Sequence, residues 1–147
     1  MKLMIDINIL LDYVCRREPF YELSRRVFIL GVAQEVELYL SVNMLTDLYH
    51  LLKKYYGAKE AQIIIEDNLE YLQLVGISPD DALYALKEQW PDFEDALVAQ
   101  CAHKVQADYI VTRNVKDFSA SRVKAIAPQE LFAVLEKQGI CYDEIDW

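Results

Sequence analysis

The chain has 147 residues, 54 % of them hydrophobic, and a net charge of −9 from 24 acids against 15 lysines and arginines. That length suits one domain with an ordinary core, and that apolar share excludes a disordered chain. No apolar run reaches the roughly 18 residues of a membrane span, and the three cysteines (Cys15, Cys101 and Cys141) are too scattered for a disulfide framework or a zinc site.

In chain order, LMI up to Asp6 reads as a short buried strand ended by a polar turn, with NILLDYV starting a helix. The acids inside this apolar N-terminus argue against a signal peptide, and together with the cysteine usage they point to the cytoplasm. YELSRRVFILGVAQ reads as a helix, with Leu23, Val27, Leu30 and Val32 as its apolar stripe. VELYLS, residues 36 to 41, alternates as a strand does. VNMLTDLYHLLKKYYG comes next as a helix, with Ser41 as its N-cap and Gly57 as its stop. KEAQIIIEDNLEYLQ is a further amphipathic helix and LVGIS a strand. SPDDALYALKEQ opens with a serine cap and a proline at the first helical position.

DFEDALVAQCA, residues 92 to 102, is a small, apolar helix with acids crowded into its first turn. DYIVT is a strand, RNVKDFSAS a loop, VKAIAP a last strand and PQELFAVLEKQG a last helix; residues 141 to 147 are expected to form a mobile acidic tail. Strands alternating with helices predict parallel βαβ units. The expected fold is an α/β/α sandwich around a central parallel sheet of about five short strands, one domain over residues 1–147.

In open α/β sheets ligands bind at the carboxyl ends of the strands. Asp6 ends the first strand, and Asn114 and Asp117 come after DYIVT, so these groups meet if the two strands are neighbours across a switch point. Asp and Asn also simply favour turns after strands. Asp47 falls at the sixth position of its expected helix, past the turn where the helix dipole would account for it. Aspartate there costs roughly 0.5 kcal/mol or more relative to alanine, which calls for a reason. Asp95 shares its helix face with Val98, Ala99 and Ala102, a surface suited to packing on a sheet. Capping accounts for Asp92 and for Glu94, but only partly for Asp95.

If Asp6, Asp47, Asp95 and Asp117 converge, mutual repulsion becomes the dominant energy of the site. Two like charges about 5 Å apart at an effective dielectric of about 20 cost roughly 3 kcal/mol. Four such groups call for a cation, and an all-oxygen donor set suits Mg²⁺ or Mn²⁺. Water on such an ion is a nucleophile for phosphodiester hydrolysis. A metal-free histidine pair is disfavoured: His103 lies about 80° from Asp95 around its helix, and His50 is only three residues past Asp47.

Four segments occur in order across nearly the whole chain: MIDINILLD, LSVNMLTDLYHLLKK, DFEDALVAQCA and VTRNVKDF, with a proline and a final helix after the last. In them the chain resembles the PIN-domain family, in particular its single-domain VapC-like toxins. The resemblance implies a PIN fold and a Mg²⁺- or Mn²⁺-dependent endoribonuclease acting on single-stranded RNA. It also implies a cognate antitoxin and a homodimer as partners. It places the first metal-binding acid at Asp6, with Asn8 holding that turn, the second at Asp47 and the third at Asp95. The fourth falls at Asn114 or Asp117, with Thr112 orienting water or ligands. Two positions depart from the pattern. Asp47 stands where the family usually has Glu, and Asn114 is neutral where many relatives carry Asp, which shifts the weight to Asp117. The alternative is therefore a catalytically weakened PIN-like domain that acts as a binding or scaffold module. Phosphate binding usually shows as a basic surface; on so acidic a chain Arg113 and Lys116, flanking the acids, are the phosphate candidates.

Overall fold

Short aliphatic runs form five strands: β1 (Lys2–Ile5), β2 (Glu37–Ser41), β3 (Leu72–Val75), β4 (Tyr109–Val111) and β5 (Ala125–Ile126). They pair in the order β3-β2-β1-β4-β5, every pair parallel. In the computed structural model residues 1–140 are described, and the expected tail at 141–147 lies outside them. The helices between the strands are α1 (Ile7–Val14), α2 (Tyr21–Val32), α3 (Met44–Tyr56), α4 (Ala58–Asn68), α5 (Pro79–Lys87), α6 (Phe93–Lys104) and α7 (Pro128–Lys137).

This is the expected α/β/α sandwich. The chain steps from β1 through β2 to β3 along one side of the sheet, then returns past β1 to β4 and β5. Right-handed crossovers place the two directions of travel on opposite faces. So α1, α2 and α7 pack together on one face, while α6, backed by α5, lies against β1, β2 and β4. Fully buried Leu3, Met4, Ile5, Leu40, Ile110 and Val111 fill the sheet's interior. Because β1 is flanked on one side by β2 and on the other by β4, the switch point lies between β1 and β4. Their carboxyl ends carry Asp6 and Thr112. No helix of the described residues is long and apolar enough to cross a membrane.

Three local expectations are corrected. Ser41 does not cap α3; it is the last residue of β2, paired with Val75, and Asn43 takes the cap position without a side-chain bond. As a result Asp47 sits in the first turn of α3, where the dipole does help it. The helix expected over KEAQIIIEDNLEYLQ stops at Asn68, and β3 starts at Leu72 instead of Leu74. Pairing of Leu72 with Leu38 outweighs the helical pattern of the segment. The loop after β4 contains a 3₁₀ turn, Val115–Phe118.

The cap expected at Ser78 is present and complete. Ser78 Oγ accepts from the Asp81 amide at 3.1 Å, and the Asp81 carboxylate accepts from the Ser78 amide at 2.9 Å. That carboxylate also accepts from Lys104 Nζ at 2.8 Å and Gln100 Nε2 at 3.1 Å, so it ties α5 to α6. Lys104 first, then the Ser78 amide, hold its pKa far below the usual carboxylate range. Asp81→Ala is expected to cost roughly 2 kcal/mol in urea unfolding, from the lost return bond of the capping box and a lost charge-assisted pair. A depressed pKa contributes stability above the unfolded value, about 3.9, and loses it as pH falls through the folded one. The gap between wild type and Asp81→Asn therefore closes as the pH is lowered from about 5.

Candidate functional site

The site is built at the carboxyl edge of β1 and β4. Asp6 comes directly after β1, 4 % exposed, and serves as N-cap residue of α1. Thr112, fully buried at the end of β4, donates its hydroxyl to Asp6 Oδ2 at 2.7 Å and accepts the Asn114 amide at 2.9 Å. The Asp6 carboxylate is thus fixed by a two-step relay from the loop that carries Asn114 and Asp117. Burial pushes its pKa up; Thr112, the Ile7 and Asn8 amides and the Asn8 side chain pull it partly back.

The first turn of α6 supplies the opposing wall. Asp92 caps it as expected, accepting from the amides of Glu94 at 2.8 Å and Asp95 at 3.4 Å. Those bonds account for Asp92 and leave the Asp95 carboxylate out of the cap. Burial first, then the charges of Asp92, Asp6 and Asp117, raise the Asp95 pKa to about 6. Residues 6, 92, 95 and 117, far apart in the chain, are therefore electrostatic neighbours.

Asp47 joins differently. Glu94 is its partner: burial first, then a hydrogen bond to the Asp47 carboxylate, pushes Glu94 up to about 7. Glu94 also feels Asp92 and Asp95, so Asp47 connects to the other acids through it. A cleft of about 430 Å³ opens beside this edge, lined among others by Trp90, Asp92, Asp95, Lys116, Asp117 and Ser119.

The donor chemistry suits a hard divalent cation: carboxylate and hydroxyl oxygens, on the ends of rigid elements, each raising its neighbours' cost of ionisation. Among the described residues, no three Asp, Glu, His or Cys side chains are drawn tightly enough together to ligate one ion. The acids form an open set, not a closed cage.

A model of the PIN domain matches residues 2–116, well over half of the chain. The chain belongs to the PIN-domain family. No curated protein matches it. Among solved structures, this PIN domain is similar to VapBC from Salmonella typhimurium in its DNA-bound form (TM-score 0.66, 17 % identity, 87 % of this chain and 98 % of that one). It is also similar to Mycobacterium tuberculosis VapC20, a toxin that cleaves the sarcin-ricin loop (TM-score 0.65, 15 % identity, 84 % and 98 %). A third similar structure is VapBC2 from Rickettsia felis, bound to a DNA fragment of its promoter (TM-score 0.64, 19 % identity, 86 % and 98 %). At these identities the likeness establishes the shared fold.

Sequence reasoning placed Glu94 in this PIN domain merely as a first-turn acid and overlooked Asp12. Asp12 is fully buried in α1 and pairs with Arg113: Nε stands 2.7 Å from Oδ2, off the hydrogen-bond axis, while Nη2 donates to Oδ1 at 3.3 Å. Arg113 also lies over the Phe20 ring, 4.0 Å from its centroid. The arginine expected at a phosphate is therefore already committed to a buried carboxylate, whereas Lys116 is exposed. An acid among Leu10, Leu11 and Tyr13 was the available signal for Asp12, as it was for Asp47.

Proposed function

We propose that this PIN domain is a Mg²⁺- or Mn²⁺-dependent endoribonuclease that hydrolyses single-stranded RNA in the cytoplasm, as the toxin of a toxin–antitoxin pair. The observation that carries this reading is the cleft shared by Asp92, Asp95 and Asp117, where the charges of Asp92, Asp6 and Asp117 bear on Asp95. In this reading Asp6, Asp95 and Asp117 would hold the ion, with waters completing its shell, and Asp47 would complete the catalytic acids through Glu94. Asn8, Asp92, Thr112 and Asn114 support them. A bound divalent ion would supply a water of lowered pKa and positive charge at the phosphoryl oxygens. The protein's own part is orientation: Thr112 fixes the Asp6 carboxylate, Asp92 spends itself on the helix end, and exposed Lys116 meets a phosphate. An antitoxin partner is supported by the VapBC complexes that share the fold; a second copy of the chain is the other expected partner.

The hydrogen-bonded Asp47 and Glu94 favour a second reading, a binding or scaffold module whose second acid is turned aside. Metal linkage separates the two. Saturation with Mn²⁺ at about 100 times its Kd adds about 2.7 kcal/mol, which raises Tm by about 5–10 °C. Cleavage of an unstructured RNA should then stop in excess EDTA. An unmoved Tm in millimolar Mn²⁺ and Mg²⁺ supports the scaffold, and cleavage that persists in EDTA sinks the metal-dependent reading.

A further inference from the structure

A second cavity, about 330 Å³, is lined by residues that follow the carboxyl ends of β4 and β5 and shares no lining residue with the acidic cleft. It is framed by Phe20, Ser24, Arg113, Asn114, Pro128 and Gln129, and no carboxylate is among its lining residues. On a chain of net charge −9 that is a distinctive lining.

Two independent features converge there. The first is the start of α7. Ala127 is its N-cap and provides no side-chain bond, and Pro128 has no N–H, so the amides of Gln129 and Glu130 have no intrahelical acceptor. An uncapped helix start of this kind attracts anions through its free N–H groups and the positive end of the dipole. The second is Ser24. It is 1 % exposed, lines the cavity, and its hydroxyl has no hydrogen-bond partner. Buried hydroxyls are ordinarily satisfied, so an orphan facing a cavity calls for an occupant. The Asn114 and Gln129 amides and the Arg113 guanidinium border the same space. Asp12 already offsets that guanidinium, so the cavity recognises an anion mainly through neutral N–H and O–H donors.

We propose that this cavity is a phosphate subsite, in which Ser24 Oγ, the N-terminal amides of α7 and the Asn114 side chain hold a phosphodiester of the RNA strand next to the one placed over Asp6 and Asp95. The proposal rests on the ribonuclease reading for the source of the phosphate, though not for the presence of an anion site. It also explains how an acidic protein holds a polyanion: the strand's charge is met by oriented dipoles, away from the carboxylates.

Two variants give opposite signs for stability and binding. Ser24→Ala removes an unpartnered hydroxyl, so Tm stays level or rises. Gln129→Glu puts a carboxylate in the first turn of α7, which the dipole favours, and Tm again holds or rises. Both should weaken binding of a labelled ten-nucleotide RNA, measured in EDTA to prevent cleavage, by about 5- to 10-fold. Inorganic phosphate titrated into the wild type should shift the amide resonances of Gln129 and Glu130 saturably, and the Gln129→Glu variant should lose that response. RNA affinity unchanged in both variants overturns the subsite and leaves the ribonuclease reading intact. A wild type that binds no RNA but whose α7 amides saturate with phosphate keeps the anion site and overturns its assignment to RNA. If those amides ignore phosphate as well, the site itself is refuted.

Discussion

Asp95→Asn should abolish RNA cleavage, by about 10³-fold or more, while leaving the metal-free protein as stable as the wild type or more so. The loss stems from the role proposed for this carboxylate: transition-state charge stabilisation by an ion it holds is worth several kcal/mol, at about 1.36 kcal/mol per tenfold in rate. The stability effect comes from electrostatics alone. Burial, then Asp92, Asp6 and Asp117, raise Asp95 to about 6. An acid whose folded pKa exceeds its unfolded value binds more protons in the native state, so stability falls as pH rises from about 4 to 6. The side chain is half-buried, and solvent screening reduces the effect to on the order of 1 kcal/mol. Asparagine removes the charge and that penalty with it. Urea midpoints at pH 7 and pH 4.5, without metal, test this: wild type should lose stability between the lower and higher pH more than the variant does. A variant that is both inactive and markedly unstable at pH 7 would mean that Asp95 is a structural residue.

Arg113→Ala is expected to produce the largest loss of stability of any single surface-facing substitution in the site, about 3–5 kcal/mol, or roughly 10 °C in Tm. It strands a carboxylate, that of Asp12, which is fully buried in α1. Burial pushes Asp12 upward, and Arg113 and then Arg17 are the charges that oppose it. Without Arg113 the group takes up a proton, so the deficit should shrink as pH is lowered and Asp12 is neutral in both states. Asp12→Asn in the Arg113→Ala background should recover much of the loss. If instead Arg113→Ala is fully stable and only RNA affinity falls, the guanidinium is a phosphate contact after all and the Asp12 pair contributes little. The pair also reaches the site, because Arg113 is the next residue after Thr112, whose hydroxyl holds Asp6. Melting of this clamp should therefore loosen the Asp6 carboxylate before the rest of the sheet.

Much of the fold was legible because its signals are local. Alternation of strands and helices, the Ser78 cap with Pro79 behind it, Asp92 before α6 and Gly57 after α3 each act within a few residues. Where a prediction failed, a remote partner had outweighed local preference. Leu38 drew Leu72 into β3, out of the helix that its own segment favours.

The amino-acid order sufficed for the α/β class and the family, and it singled out Asp6, Asp47 and Asp95 as candidates, because strand ends and helix faces can be read locally. Which charges meet is a property of the folded chain. Asp95 feels the charges of Asp6 and Asp117, Glu94 takes Asp47, Asp12 takes Arg113, and Ser24 of α2 is left unpaired in the cavity beside the start of α7. The difference is one of range: propensity and capping act over one helical turn, whereas Coulomb forces and desolvation depend on distances that exist only after the sheet has brought β1 beside β4.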